Sequence, residues 1–354
     1  MRHGAIACAG LVLLGCGAEN AAPPARRPAP DIPALMAAAN APGLSIATID
    51  DCELSDVSHY GVADIETGEP VDDTTRFEAA SLTKTIFSLI VNQLADEGVI
   101  DLDHPIADNF DYPRVTDKDA YAVLTPRMIL AHRSGLPNWA GDPLDAETWG
   151  DIPFNNPPDT QFGYSGEAYQ LLQAYVENVT GKSLDVLFAE RLGDLMPLSS
   201  LSVAREDASP SFGHDKDGGK EKGRAIGELT SAGAAYSGQS NARDYARFLS
   251  HLCEGAGMSA DARDAMLEPQ SPTDAPEIAW ALGWGVQTGE NPVYFHWGDN
   301  GPFKAFTAFN RETGDGVVYF ANAMNGLMLI EPIAAPVVGD VGPIVDWLDY
   351  GRVD

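Results

Sequence analysis

Residues 77–91 read FEAASLTKTIFSLIV, an apolar-rich stretch in which Ser81 and Lys84 stand three positions apart. Apolar residues then recur at spacings of three and four, and Gly98 follows as a stop signal, which predicts a helix over residues 81–95. Residues three apart on a helix share a face, so the serine hydroxyl and the lysine amine can touch. The apolar residues at helical spacing are Ile86, Leu89, Ile90 and Leu94.

The serine–lysine pair suggests nucleophilic chemistry, because a free serine is a poor nucleophile and needs a base. A lysine partly buried beside it can have a lowered pKa and accept the serine proton. A helix this apolar is expected to be buried, where an unpaired lysine would be costly. Residues 81–84 alone are also typical of an N-cap serine followed by a surface lysine. Other segments of the sequence are therefore needed to distinguish a catalytic pair from this structural alternative.

A second candidate segment is Tyr164-Ser165-Gly166, in QFGYSGEAYQLL, where a loop is expected to enter a helix. A tyrosine at that point can exchange protons with a lysine and a leaving group. The same tripeptide recurs at residues 236–238, and either copy could be a capping serine beside a packed aromatic ring. The first copy is favoured because Tyr169 and Leu172 follow it in helical register.

A third candidate segment is His296-Trp297-Gly298, on a predicted strand and followed by Asp299. A strand edge next to a nucleophile can offer a backbone N–H group to an oxyanion. His296 is equally typical of a structural histidine at the end of a strand. Its role therefore depends on whether this strand lies beside Ser81.

The remaining pattern places strands at both ends of the chain and helices in the middle. Strand-like residues 31–80 and 275–354 are expected to come together in one mixed sheet, with a mostly helical region of about residues 81–274 between them. Residues 205–225 are polar and Gly-rich, which predicts a surface loop. The predicted strands are 44–49, 57–63, 281–287, 293–297, 304–309 and 316–321, and the predicted helices include those starting at Thr125-Pro126 and Asn241.

Together, SLTK, YSG and HWG resemble the three motifs of the serine β-lactamase and penicillin-binding-protein superfamily. The chain is most similar to the branch that contains class C β-lactamases, DD-peptidases, D-aminopeptidases and related esterases. The resemblance covers roughly residues 35–350 and implies an α/β (α+β), β-lactamase/transpeptidase-like fold, with a mixed antiparallel sheet flanked by helices and a mostly helical subdomain. The flanking segments that agree are GVIDLDHPI (98–106), TPRMILAHRSGLPNW (125–139) and SAGAAYSGQSNARDYARFL (231–249).

The resemblance also implies a role for each motif. Ser81 would form an acyl-enzyme, while Lys84 and Tyr164 would share the work of base and acid. The backbone N–H groups of Ser81 and Asp299 would form the oxyanion hole, and the second YSG copy would be structural. The implied substrate-binding residues are Gly166, His296, Gly298 and Asp299, with His296 lining the cleft and His132 in a supporting or structural role.

Two positions depart from the β-lactamase pattern. Gly166 stands where β-lactamases usually have an asparagine whose amide binds the substrate. His296 stands where they have a lysine that pairs with the β-lactam carboxylate. We therefore expect a serine hydrolase that cleaves an ester or a D-amino-acid amide, of the esterase or DD-/D-aminopeptidase type. The alternatives are a β-lactamase and a non-catalytic cell-envelope binding protein of the same fold. A binding protein would have no need of Ser81, Lys84 and Tyr164 together.

The N-terminal residues 1–16, MRHGAIACAGLVLLGC, have the pattern of a processing signal. Their apolar run is shorter than the roughly 20 residues that span a bilayer. The run ends at Cys16 in a sequence that resembles the lipobox of bacterial lipoproteins, although a plain secretory signal is the alternative. Residues 17–30 predict an Ala/Pro-rich tether, and residues 31–354 the folded domain. We expect an exported protein attached to a cell-envelope membrane through a lipid at Cys16.

The charge balance argues against a nucleic-acid partner, because 52 acidic and 22 basic residues give a net charge of −30. We expect a small-molecule or peptide substrate, a monomer and no cofactor. Cys52 and Cys253 remain in the mature domain, and export permits a disulfide, but sequence alone does not show whether they meet. They lack the paired spacing of a zinc site, so no metal is expected.

Overall fold

The computed structural model describes Met1 and residues 30–142, 145–201, 209–221 and 231–353. The predicted signal peptide, its Cys16 and nearly all of the predicted tether therefore lie outside the described residues and stay predictions. Of the predicted loop 205–225, only residues 209–221 are described. Across the described ranges, no helix combines the length and the apolar character needed to cross a membrane.

Strands occur near both ends of the chain, and short ones occur between them. Long strands are rich in β-branched and aromatic residues, which suit a pleated, buried surface. In the described residues the strands are β1 (Gly43–Asp50), β2 (Glu53–Asp64), β3 (Glu69–Pro70), β4 (Thr75–Glu78), β5 (Ser209–Pro210), β6 (Gln239–Ser240), β7 (Ser271–Pro272), β8 (Ile278–Trp280), β9 (Gly285–Gln287), β10 (Val293–Asp299), β11 (Lys304–Asn310) and β12 (Gly316–Ala321).

The main sheet has nine strands in the order β3-β2-β1-β12-β11-β10-β9-β8-β7, and its neighbours are antiparallel. β1 lies between β2 and β12, which brings the two ends of the folded chain together, as the strand pattern predicted. The fold class is thereby confirmed as an antiparallel sheet combined with helices. A small sheet of β4, β5 and β6 holds the segment that leads directly to Ser81.

Seven of the ten helices in the described residues, α2 to α8, lie between the two groups of long strands. Several begin at a polar side chain that accepts a hydrogen bond from the backbone N–H three residues later, as at Thr125, Ser165 and Asn241. The helices in the described residues are α1 (Ile32–Ala38), α2 (Thr83–Asp96), α3 (Lys118–Tyr121), α4 (Pro126–Leu130), α5 (Gly166–Thr180), α6 (Leu184–Leu192), α7 (Ala242–Cys253), α8 (Ala260–Leu267), α9 (Ile330–Val338) and α10 (Gly342–Leu348).

Helices pack on both faces of the sheet. Along β12, Val318 and Phe320 join the core shared with α2, α5 and α7, whereas Val317 and Tyr319 join the core beneath α1, α9 and α10. This alternation follows from the two-residue period of a strand. Helix α2 is central, since every side chain from Thr83 to Leu94 is buried. The nucleophile candidate Ser81 lies on the turn just before this helix.

One predicted strand is wrong. Residues 281–287 were expected to form a single strand, but β8 ends at Trp280 and β9 begins at Gly285, with a tight turn between them. Gly283 lies in this turn at φ +97°, and a Cβ there would stand 2.2 Å from the Ser88 hydroxyl. The chain turns here because glycine allows a backbone conformation and a close approach to α2 that other residues cannot adopt.

The structure joins Cys52 to Cys253 in a disulfide, which the sequence left undecided. Their Cα atoms are 5.5 Å apart, within the usual range for such a bridge. Cys52 lies in the turn between β1 and β2, and Cys253 is the last residue of α7. The bridge therefore ties the tip of the first hairpin to the helix that packs on it.

Removing this disulfide is expected to lower the free energy of unfolding by about 2–5 kcal/mol, because the bridge restricts the unfolded chain. The double variant Cys52→Ala/Cys253→Ala should unfold at a lower denaturant concentration than the oxidised protein. Wild-type protein with reductant should behave like the variant, and the variant should not respond to reductant. Equal midpoints for the variant and the oxidised protein would contradict the prediction.

Candidate active site

Ser81 lies in a short 3₁₀ turn, Ala80–Leu82, between β4 and α2. The preceding Ala80 has φ +48°, a left-handed conformation that costs a residue with a Cβ about 1–2 kcal/mol. The turn is held in place because the Ala79 N–H donates to the Gly238 carbonyl at 2.7 Å. Ser81 is partly exposed, so its hydroxyl is presented to the adjoining cleft.

Lys84 is fully buried, and its amine meets the serine as the spacing predicted. The amine nitrogen Nζ donates to Ser81 Oγ at 3.1 Å and to the Ala235 carbonyl at 2.8 Å. Burial lowers the pKa of Lys84 from its ordinary value of 10.5 to about 7, since desolvation disfavours the charged form. A substantial fraction of the amine is therefore uncharged at neutral pH and can accept a proton from Ser81.

Tyr164 packs beside this pair, with Lys84 Nζ 4.8 Å from the centre of its ring. Burial raises the pKa of Tyr164 well above its ordinary value, and the nearby Ser81 hydroxyl opposes that rise. The Tyr164 hydroxyl has no hydrogen-bond partner at normal distance among the described residues. Tyr164 is thus a neutral phenol that can donate its proton.

Helix α5 begins directly after this tyrosine, which fixes the tyrosine's position. The Ser165 hydroxyl caps the helix by accepting from the Ala168 N–H at 3.0 Å, and donates to the Pro137 carbonyl at 2.7 Å. Gly166 is the first helical residue, and a Cβ there would lie 2.5 Å from the ring of Trp139. The space in which a longer side chain would lie is therefore filled by an indole ring.

The buried His132 ring packs against the ring of Tyr164. Its Nδ1 accepts from the Ser165 N–H at 3.1 Å, so the proton of the neutral ring is on Nε2. The ring packs 4.3 Å from the Tyr164 ring and 5.1 Å from the Trp280 ring, centre to centre. Burial lowers the pKa of His132 well below its usual value, so the ring stays uncharged. This placement agrees with a supporting position behind the cleft.

His296 does not line the cleft, so that prediction is wrong. Its side chain is fully buried, and the neighbouring Trp297 faces the cleft instead. The Nδ1–H of His296 donates to the Trp297 carbonyl at 2.8 Å. Burial and the nearby Lys84 charge lower the pKa of His296 to about 3. The histidine is therefore neutral and cannot replace a positively charged lysine.

Gly298 and Asp299 end β10 directly beside the nucleophile turn. A Cβ at Gly298 would stand 2.5 Å from the Ala79 carbonyl oxygen, so glycine permits the strand to approach Ser81. The Asp299 carboxylate is bonded to Lys304 and also accepts from the Tyr350 hydroxyl at 2.9 Å. The Asp299 side chain thus anchors the C-terminal segment, while its backbone lies at the edge of the cleft.

The cleft is a cavity of about 260 Å³ that brings Ser81, Tyr164 and Asp299 together. Five of the residues that line it were not predicted from the sequence to lie in the cleft. The second YSG copy was interpreted as structural; that description fits the buried Ser237, but Tyr236 lines the cleft. Asn138 and Trp139 are the last two residues of the family-like segment 125–139 and could have been found, whereas nothing in the sequence indicated Tyr350. The five residues are Asn138, Trp139, Tyr236, Asn300 and Tyr350.

A partly exposed serine, a buried lysine with a pKa near 7 and a half-buried tyrosine, between the end of β10 and helix α2, define a serine hydrolase site. Residues 30–332 match the family described as Beta-lactamase, and the chain belongs to that family. The superfamily of serine β-lactamases and penicillin-binding proteins, which the three motifs indicated, is thereby confirmed.

Two relatives illustrate the range of the family. Penicillin-binding protein 4 of Amycolatopsis lactamdurans is 29% identical over 187 residues, which are 49% of this chain and 48% of the relative. Protein flp of Staphylococcus aureus is 23% identical over 306 residues, which are 79% of this chain and 59% of the relative. The chain thus spans about half to three fifths of the length of these relatives.

Solved structures show the same fold. The D-alanine carboxypeptidase AmpC of Burkholderia cenocepacia has a TM-score of 0.69 at 19% identity, covering 82% of this chain and 91% of its own. The octameric penicillin-binding protein homologue of Pyrococcus abyssi has a TM-score of 0.67 at 20% identity, covering 86% and 78%. At these identities the likeness supports the fold and says nothing of substrate.

Proposed function

We propose that this serine hydrolase cleaves an ester or a D-amino-acid amide through an acyl-enzyme at Ser81. The observation that carries the proposal is the 3.1 Å contact between Ser81 Oγ and the fully buried amine of Lys84. A buried amine with a pKa near 7 can be a base at neutral pH, and its serine borders the cavity.

In the proposed acylation, the neutral Lys84 amine takes the proton of Ser81 as Oγ attacks the substrate carbonyl carbon. The backbone N–H groups of Ser81 and Asp299 would stabilise the resulting oxyanion. Tyr164, held as a phenol, gives its proton to the leaving alcohol or amine and regains one from Lys84. A water molecule then attacks the acyl carbon, its proton passes through the same groups to Ser81 Oγ as the bond to Oγ breaks, and the carboxylic acid product leaves.

The cavity lining favours neutral substrates. The described residues that line it include no lysine or arginine, and the nearby Lys304 is bonded to Asp299. His296 is buried and uncharged, and Gly166 offers no amide side chain. A carboxylate on the substrate would therefore lose its water without gaining a cationic partner, which is costly. This supports an ester or a D-amino-acid amide over a β-lactam.

Three substrates test this ranking. The purified protein should turn over a p-nitrophenyl ester or an N-acetyl-D-alanyl p-nitroanilide, both uncharged, with a higher kcat/KM than a chromogenic cephalosporin. All three report a coloured product, so the rates are directly comparable. A kcat/KM for the cephalosporin above that of both other substrates would overturn the proposed substrate class and favour a β-lactamase.

Restoring the β-lactamase asparagine should not create β-lactamase activity. The Gly166→Asn variant would place a Cβ 2.5 Å from the Trp139 ring, and such overpacking costs about 1–3 kcal/mol. We expect a lower Tm and no gain in cephalosporin turnover. The control is Gly163→Asn, where a Cβ meets no atom within 4 Å and the loss of Tm should be smaller. An unchanged Tm with cephalosporin hydrolysis in the Gly166 variant would contradict the prediction.

A further inference from the structure

A second cavity, of about 170 Å³, lies beside the first, and Trp139 borders both. The first contains Ser81, so a substrate must enter it to react. The second has no contact with Ser81 and is partly open to solvent. Trp139 is the one described residue common to the two linings, so its indole separates the reactive cavity from this further space. The second cavity is lined, among others, by Tyr112, Arg114, Trp149, Gln170 and Gln173.

The backbone on both sides of Trp139 is fixed to the start of α5. The Asn138 carbonyl accepts from the N–H groups of Gly166 at 3.0 Å and Glu167 at 2.9 Å. The Ala140 N–H donates to the Glu167 carboxylate at 3.0 Å. The indole lies over Gly166 and meets the Tyr236 ring edge-on, 5.8 Å between centres. The indole is thus a wall held in place from several directions.

The described lining of the second cavity contains one ion pair, between Arg114 and Glu167, and one further carboxylate, that of Glu177. Arg114 forms two hydrogen bonds to the buried Glu167 carboxylate, at 3.0 and 3.1 Å. The guanidinium also lies 5.3 Å from the centre of the Trp149 ring. Gln173 is already bonded to the Ala232 carbonyl at 2.8 Å. What remains for a ligand is a mixture of aromatic, aliphatic and amide surface, and no described lining residue is an unpaired cation, so the cavity suits an uncharged chain better than an anion.

We propose that Trp139 is a specificity-determining residue that restricts the enzyme to small, neutral acyl groups. The second cavity would accept a longer neutral acyl chain if the indole were removed. The inference rests on the proposed acyl-enzyme at Ser81. The acyl group stays bonded to Ser81 in the acyl-enzyme, whereas the leaving group departs. The indole of Trp139 borders the cavity that contains Ser81, so it limits the length of the acyl group that this cavity can hold. The first cavity, at about 260 Å³, is below the roughly 300–1,000 Å³ of pockets for drug-sized ligands.

The test compares p-nitrophenyl acetate, butyrate and octanoate with wild-type protein and the Trp139→Ala variant. Wild type should prefer acetate. In Trp139→Ala, the octanoate-to-acetate ratio of kcat/KM should rise at least about ten-fold, the discrimination typical of a few methylenes in an apolar pocket. Trp139→Phe, which keeps an aromatic wall, should give a smaller rise and serves if the alanine variant does not fold.

Trp149 provides the matched control, because it lines the second cavity and not the first. Trp149→Ala alone should leave the acyl preference unchanged, whereas adding it to Trp139→Ala should reduce the octanoate gain. A parallel series of acetate esters with longer alcohols should not respond to Trp139→Ala. A response confined to the alcohol series would overturn the assignment to the acyl group.

Failure of the inference and failure of the proposed function give different results. If Trp139→Ala and Trp139→Phe hydrolyse esters with the wild-type chain-length profile, the inference is wrong and the acyl-enzyme stands. If folded wild type hydrolyses none of the esters and forms no adduct at Ser81, the proposed function itself is wrong.

Discussion

Replacing Ser81 by alanine is expected to abolish hydrolysis of every substrate, with kcat reduced by at least about a thousand-fold. The hydroxyl is the atom that would bond to the acyl group, and no other described serine bonds to the buried Lys84 amine. The measurement is the initial rate with a p-nitrophenyl ester at saturating substrate. Far-UV circular dichroism and Tm should match the wild type, because the change removes one partly exposed oxygen atom.

The control for this prediction is Ser88→Ala. Ser88 lies on α2, within the same buried helix, and its hydroxyl contacts the Tyr169 hydroxyl at 3.2 Å instead of the cleft. This variant should keep most of the activity and lose about 1 kcal/mol of stability with the hydrogen bond. Equal activities of the Ser81 and Ser88 variants would show that Ser81 is not the nucleophile.

Replacing Lys84 by alanine is expected to lower kcat/KM by about a hundred- to ten-thousand-fold, the usual contribution of a general base. The variant keeps Ser81 but has no buried amine within hydrogen-bonding distance to accept its proton. Lys118→Ala is the matched control, since Lys118 is an exposed lysine bonded to Asp111 at 2.7 Å. A Lys118 variant as impaired as the Lys84 variant would indicate a general effect of lost charge.

The pH profile tests the same lysine by another route. The uncharged amine is the base, and burial lowers the pKa of Lys84 to about 7. The kcat/KM of wild type should therefore be low well below pH 7 and increase as the pH is raised through about 7, because the protonated amine cannot accept the serine proton. Lys84→Ala should lack this acid limb. A wild-type profile that stays flat from about pH 5 to 9 would contradict the assignment.

Local spacing predicted the contact between Ser81 and Lys84, and the other motifs then favoured a catalytic role for the pair. Ser81 lies on the 3₁₀ turn that leads into α2 and Lys84 lies in the first turn of α2, so residues three apart share a face. The position of Tyr164 followed from the loop-to-helix pattern around Ser165, whose capping bond the structure contains. The long strands β10 and β12 were also predicted, because their apolar runs are bounded by turn residues.

Contacts between distant segments could not be predicted in this way. Trp139 fills the space above Gly166 because two loops 27 residues apart meet at the start of α5. The local sequence of neither loop indicates that the two are in contact. His296 was expected in the cleft, but neighbouring side chains of a strand point to opposite faces, and on β10 Trp297 faces the cleft while the histidine is buried. The disulfide depends on the approach of residues 201 positions apart.

The central claim is that Ser81 is the nucleophile that forms the acyl-enzyme, and mass spectrometry of the intact protein tests it most directly. Wild-type protein is incubated with a fluorophosphonate, whose phosphorus an activated serine attacks with loss of fluoride; the protein mass is then measured and the modified peptide is sequenced. We expect one adduct per chain, on Ser81, that is absent from Ser81→Ala and forms more slowly in Lys84→Ala. Well-folded wild-type protein that gains no adduct, or gains it on another residue, would contradict the claim.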